Sequence, residues 1–175
     1  MDESGFLLVP SITRTWSPMG QTPHLSVPGG NWTKISAISA ISVSPRGKRL
    51  ALFLKLHPNR NIRTDQVLQF LKLLLRHLRG PIVMLWDRNT IHRAARIGNF
   101  LRRHRRVHSH FFPGYAPELN PDEFVWANLK RAVANLRVPQ NVRHLRHALS
   151  SPIRRLRHSQ RLLWSCIHAS ELPWT

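Results

Sequence analysis

Phe112-Pro-Gly-Tyr-Ala-Pro-Glu-Leu-Asn-Pro-Asp-Glu-Phe-Val-Trp-Ala-Asn-Leu-Lys130 is a Pro- and Gly-punctuated loop that opens onto a helix with acids in its first turn. Upstream of it, Val83-Met-Leu-Trp-Asp87 is an apolar run that ends on a carboxylate. Such a run suits a strand buried on both faces of a parallel sheet. Between Asp87 and Glu123 there is room for one helix and one strand, so the two acids belong to separate elements. A third acid, Asp2, opens the chain. Three carboxylates on separate elements of a very basic chain point to metal-dependent chemistry on nucleic acid.

Outward from this stretch, the pattern predicts an α/β fold. Residues 1–9 read as a short strand, and Ile35 to Val43 and Leu50 to Leu56 as two more, joined by a turn at Pro45-Arg-Gly47. Thr64 starts a helix whose apolar face carries Val67, Leu71, Leu74, Leu75 and Leu78, and Gly80 ends it. After the strand at 81–86 come a helix over Ile91 to His104 and a strand near Val107 to Phe111. Asn120 is the N-cap of the next helix, with Pro121 in its first position. Beyond Pro139 two basic helical segments are expected, separated at Ser150-Ser-Pro152. This order gives a mixed sheet with helices on its faces, in which sites sit at the carboxyl ends of parallel strands. Asp87 occupies one such end.

Charge speaks to partners. The 175 residues hold 27 Lys and Arg against 8 Asp and Glu, a net charge of +19. That imbalance favours a polyanion, above all nucleic acid, because each neutralised phosphate releases counterions. A purely electrostatic binder of ribosomal type shares this composition. No apolar run approaches the roughly 18 residues of a spanning helix, so no membrane partner is expected. The first residues lack the basic region of a secretory signal, and the single cysteine, Cys166, fits a reducing cytoplasm. The 11 histidines lack the cysteine pairs and spacing of a structural zinc site.

Each acid also has a plainer role open to it. Asp87 could cap the following helix, although Thr90 is better placed for that. Asn120-Pro-Asp-Glu123 is a capping-box arrangement, so spacing leaves Glu123 evenly divided between cap and metal ligand. Asp122 is a rival, suited to the positive end of the helix. Asp2 and Glu3, adjacent on a strand, point to opposite faces, and an acid at a terminus is commonly just solvated. Trp86 and Trp126 fall in apolar patterns and are expected in the core, whereas Trp16 and Trp32 are candidates for stacking on bases. Arg102, Arg103, Arg105 and Arg106, with Lys130 and Arg131, have too few acids to pair with, which favours phosphate contacts.

These residues resemble the catalytic domain of DDE-type transposases in the mariner-like group of bacterial insertion sequences. Asp2-Glu-Ser-Gly-Phe6 looks like the first motif, and Arg14-Thr-Trp-Ser-Pro-Met-Gly-Gln-Thr-Pro23 like the segment after it. Leu85-Trp-Asp-Arg-Asn-Thr-Ile-His92 looks like the second motif, and Pro113 to Trp126 like the third. The likeness runs from Asp2 to about Asn135. It implies a ribonuclease H-like catalytic domain over residues 1–136, with an incomplete first strand, followed by a basic helical extension over 137–175. It also implies that Asp2, Asp87 and Glu123 hold Mg2+ or Mn2+ for DNA strand cleavage and transfer, with His92 beside the site. The expected partners are DNA and a second copy or a full-length transposase, in the cytoplasm and on the nucleoid. The family's N-terminal DNA-reading region has no counterpart here, so a truncated copy is expected. A catalytically inactive DNA-binding remnant that competes with full-length transposase is the alternative.

Overall fold

The computed structural model describes residues 1–8, 17–21, 33–134 and 139–173. Three strands open it as an antiparallel meander: β1 (Asp2–Leu7), β2 (Lys34–Val43) and β3 (Leu50–Pro58). The β2–β3 turn closes through Ser44 N–H to Arg49 O at 2.9 Å, with Gly47 at φ 64, a left-handed conformation that glycine adopts without strain. β2 is the central strand, pairing Asp2 with Ser39 on one edge and Leu54 with Ser39 on the other. Its side chains alternate between two cores. Ile35, Ala37, Ile41 and Val43 face one, while Ile38 and Ala40 face the other.

Helices cover both faces. α1 (Thr64–His77), β4 (Ile82–Trp86), α2 (Ala95–Arg103) and β5 (Val107–Phe111) follow the meander, with β4 and β5 paired in parallel. Val67, Phe70, Leu71 and Leu74 of α1 and Ile97 of α2 pack with Met84 and Trp86 against the Ile38 side. After a short 3-10 turn at Pro117–Leu119 come α3 (Pro121–Ala134), α4 (Val142–His158) and α5 (Gln160–Ala169). Their buried residues, among them Val125, Leu129, Leu149, Leu163 and Ile167, pack on the Ile35 side. The stretch beyond 136, expected as a basic extension, therefore completes the core on this face. Among the described residues the five strands form two sheets, β1-β2-β3 and β4-β5. The Met1 ammonium donates to Leu85 O at 2.9 Å, between the two sheets.

Two helix boundaries differ from the sequence expectation. α4 runs unbroken through Pro152, although proline in a helix interior costs about 3 kcal/mol. Leu145, Leu149, Ile153 and Leu156 form one continuous buried stripe across it, and burial of such side chains is worth about 1.5–3 kcal/mol each. The stripe outweighs the missing backbone donor. The chain breaks instead at Ser159, whose side chain accepts from Leu162 N–H at 3.2 Å and caps α5. α2 begins at Ala95 rather than Ile91, because residues 87–93 are held in a turn by contacts of the site.

Arg106 shows where one expected phosphate ligand goes. Its guanidinium donates to the carbonyl oxygens of Leu75, Leu78 and Gly80 at 2.6, 2.7 and 2.9 Å, closing the carboxyl end of α1. A cation there meets the last unpaired carbonyls and the negative end of the helix dipole. Arg106→Gln should lower stability by about 2 kcal/mol, seen as a fall in thermal midpoint of roughly 4–8 °C. Arg105→Gln, in the exposed neighbour, should leave the midpoint unchanged; equal effects would contradict the capping role.

Candidate active site

Because alternate residues of a strand face opposite ways, the start of β1 sends two carboxylates in two directions. Asp2 goes to the α3 side, where it is buried and accepts from Trp126 Nε1–H at 2.9 Å. Burial, then the nearby charges of Asp122 and Glu123, push its pKa up to about 7. Buried like charges of this kind are the condition that a divalent cation relieves.

Glu3 goes the other way. Its Oε1 lies 2.9 Å from His92 Nε2, and His92 Nδ1 lies 2.7 Å from Asp87 Oδ1. Asp87 leaves the end of β4, and its side chain also accepts from Asn89 N–H at 3.1 Å, while Asn89 Oδ1 accepts from Ile91 N–H. These bonds turn residues 87–92 back on themselves and deliver His92 to the strand. The imidazole is fully buried and stacks on Trp86 with centroids 4.5 Å apart. Burial opposes charge on His92, but the two carboxylates outweigh it and raise its pKa to about 9. The hydrogen bond from His92 holds Asp87 below the usual carboxylate range.

At the start of α3 the capping question has a clear answer. Asn120 Oδ1 accepts from Asp122 N–H at 3.2 Å. Asp122 is buried, with its carboxylate between Ser39 Oγ–H and the Met1 ammonium, the latter at 3.1 Å. Asp122 therefore ties α3 to β2 and to the chain start. Glu123 is exposed, and among the described residues no hydrogen bond or ion pair engages its carboxylate. A free carboxylate beside a buried acid at a positive helix end is an available ligand.

The structure thus places the three acids assigned from the sequence in two groups on opposite faces of β1. Asp2 is coupled to Glu123, and Asp87 is joined to β1 through His92 and Glu3. Glu3 escaped the sequence reading, since nothing local marks a partner 89 positions away. One oxygen each from Glu3 and Asp87 and one nitrogen of His92 lie within 4.8 Å of one another. Two carboxylates with an imidazole suit a hard cation, with manganese the more tolerant of nitrogen.

Around the site the basic residues divide by use. Arg102, Arg103 and Arg105 on α2 and its exit are exposed, as are Arg88 and Arg93 flanking the Asp87–His92 turn. Arg131 is exposed on α3 and Lys130 partly so, whereas Arg106 is committed to α1. Trp86 and Trp126 are core residues, 0% and 1% exposed. Trp16 and Trp32 lie outside the described residues. Among the described residues no helix is long and apolar enough to cross a membrane.

A family model described as DDE superfamily endonuclease matches residues 1–146. No curated protein matches the chain. Among solved structures, the Mos1 mariner paired-end complex with Mn is similar at a TM-score of 0.69 and 17% identity, covering 95% of this chain and 50% of that one. The Mos1 transposase paired-end complex with left transposon end gives 0.66 and 16%, with the same coverage. A pre-cleavage Mos1 transpososome gives 0.58 and 14%, over 99% of this chain and 55% of that one. The chain spans about half the length of the proteins it matches. At these identities the likeness is one of fold, a ribonuclease H-like arrangement of mixed α/β type.

The site makes stability depend on pH. His92 keeps its proton to about pH 9 when folded against 6.5 ordinarily, and Asp2 to about 7 against 3.8. In each interval the folded chain binds more protons than the unfolded one, so stability falls as pH rises. The Asp2 contribution is lost between about pH 4 and 7, and that of His92 between about 6.5 and 9. In chelator, the free energy of urea unfolding should therefore drop from about pH 5 to 9 by a few kcal/mol. A flat profile would mean that His92 is neutral in the fold.

Proposed function

The chain belongs to the DDE superfamily endonuclease family, and on that premise we propose that it is the catalytic domain of a transposase that cleaves and transfers DNA strands. The observation that carries the proposal is the meeting of Asp87 with β1 through His92, which brings carboxylates of two strands to one point. In this reading Asp2, Asp87 and Glu123 hold Mg2+ or Mn2+. When bound, the cation supplies the Lewis acid that polarises a phosphodiester and lowers the pKa of the attacking hydroxyl.

The remaining work falls to the protein. Protonated His92 orients Asp87 and balances the charge of Glu3 and Asp87. Trp126 fixes the Asp2 carboxylate through its indole N–H, and Glu123 presents its own carboxylate from the first turn of α3. Exposed Arg88 and Arg93 flank this point and suit the phosphates on either side of the scissile bond. The substrate is DNA, and the active assembly pairs this chain with a second copy or with a full-length transposase.

A second reading of the first ligand has an observation behind it. Glu3, not Asp2, shares His92 with Asp87. The two readings differ in one experiment, strand cleavage of supercoiled DNA in Mg2+ or Mn2+. Asp87→Ala should remove several kcal/mol of transition-state stabilisation, roughly a thousandfold in rate. Asp2→Asn should match that loss while Glu3→Gln keeps partial activity. The reverse pattern would assign the first ligand to Glu3. Wild-type protein that binds DNA without metal-dependent cleavage would identify the chain as the inactive binding form.

A further inference from the structure

α4 carries a second charged surface that the acid site does not use. Residues 124–170 contain no Asp or Glu. Opposite the buried stripe of Leu145, Leu149, Ile153 and Leu156, the helix exposes Arg143, His147, Arg154 and His158, with Ser150 and Ser151 between them and Arg146 at the flank. The spacing of 4, 7 and 4 residues puts the four basic side chains in one row, about 22 Å long at 1.5 Å per residue. Among the described residues none of these side chains is in an ion pair; the one arginine that is, Arg96, pairs with Asp65 at 2.7 Å.

The fold gives no reason for this row. Arg143 and Arg146 stand at the amino end of α4, where the helix dipole favours acids and where the first turn has none. Arg157, by contrast, serves the fold, donating to Leu54 O at 2.7 Å. Cations placed against the dipole and left unpaired are explained by an external polyanion. The row contains no Trp, Tyr or Phe to form a stacking platform for unpaired bases; its guanidinium, imidazole and hydroxyl groups are donors of the kind that contact duplex phosphates. The buried stripe of α4 rules out its lying in a lipid surface.

The row is also across the β1-β2-β3 sheet from the arginines beside Asp87. α4 packs on the Ile35 side of the sheet, while α2 and the Asp87–His92 turn, with Arg93, Arg102 and Arg103, belong to the Ile38 side. We infer that the outward face of α4 binds a DNA duplex by its backbone, and that this duplex is a different segment from the one beside Arg93, Arg102 and Arg103. The inference takes the identity of the polyanion from the strand-cleavage reading; the surface itself rests on α4.

The test is binding of the 175-residue chain to a labelled random-sequence duplex across a NaCl series without divalent cation. Two triple variants are compared, Arg143→Gln/Arg146→Gln/Arg154→Gln on α4 and Arg93→Gln/Arg102→Gln/Arg103→Gln on the other side. Each should reduce the slope of log affinity against log salt by about 3, at roughly 0.9 per phosphate contact. Wild-type protein should capture a labelled duplex onto beads carrying another, and either triple should abolish capture while still binding one duplex. The α4 triple should melt at the wild-type temperature or above it. An unchanged slope, retained capture or a lowered melting temperature in that variant would overturn the inference, as would wild-type protein that captures nothing. A wild-type affinity indifferent to salt would instead refute DNA as the partner altogether.

Discussion

The structure depends on one buried imidazolium held between two carboxylates. The start of the chain meets β4 through the Met1 ammonium on Leu85 O and the packing of Met1 with Met84 and Trp86, and β1 meets the end of β4 through the imidazolium of His92 held between Glu3 and Asp87. With His92 fully buried and Glu3 nearly so, the chain of two carboxylates and one cation is favourable only while the carboxylates remain, since removing them strands the buried charge of the imidazolium. The position of Asp87 relative to the first strand, and with it the geometry of any chemistry there, is set by this chain more than by the sheet ladder. Stacking on Trp86, itself sandwiched by Phe111 at 5.9 Å, keeps the ring from turning.

A second set of carboxylates is arranged by opposite means. Asp122 is held by a hydroxyl and an ammonium, so it works as a tie between α3 and β2. Asp2 lies under the field of both Asp122 and Glu123 and keeps its proton into the neutral range. Cys166 feels burial and then the same Asp122 charge, and its thiol is pushed up to about 11, which leaves it inert. A chain with only 8 acids thus gathers Asp2, Glu3, Asp87, Asp122 and Glu123 around the start of β1. Concentrating the few negative charges at one point leaves the rest of the surface to its cations.

Much of the architecture was legible because it is written in local periodicity. The meander, α1, β4, β5 and the start of α3 follow from apolar spacing, turn residues and the Asn120-Pro121 cap. What escaped was decided at long range. The hydrogen bond from Trp126 to Asp2 spans 124 positions and that from His92 to Glu3 spans 89, so no window of sequence contains either. The late start of α2 has a local origin instead, because the side chains of Asp87 and Asn89, each accepting from a backbone N–H two positions on, hold a turn that an apolar pattern reads as helix. Pro152 misled in the other direction. Its local cost is real, but four buried side chains on the sheet decide the matter. Spacing left Glu123 between cap and ligand; in the structure Asn120 caps through Asp122 N–H, and among the described residues no hydrogen bond or ion pair engages the Glu123 carboxylate.

The alternation of β2 has a consequence for how the molecule opens. Ile35 and Ala37 belong to one core and Ile38 and Ala40 to the other, so a single strand is the common wall of both. Neither half can lose its packing without exposing a face of that wall, which couples the two into one cooperative unit. Amides of β2 between Ile35 and Ile41 will then be the slowest in the chain to exchange with solvent, opening only with the whole fold. The helices on the two sides are in effect mounted on one stiff plate, and bending between them is suppressed by the same buried methyl groups that hold the chain together.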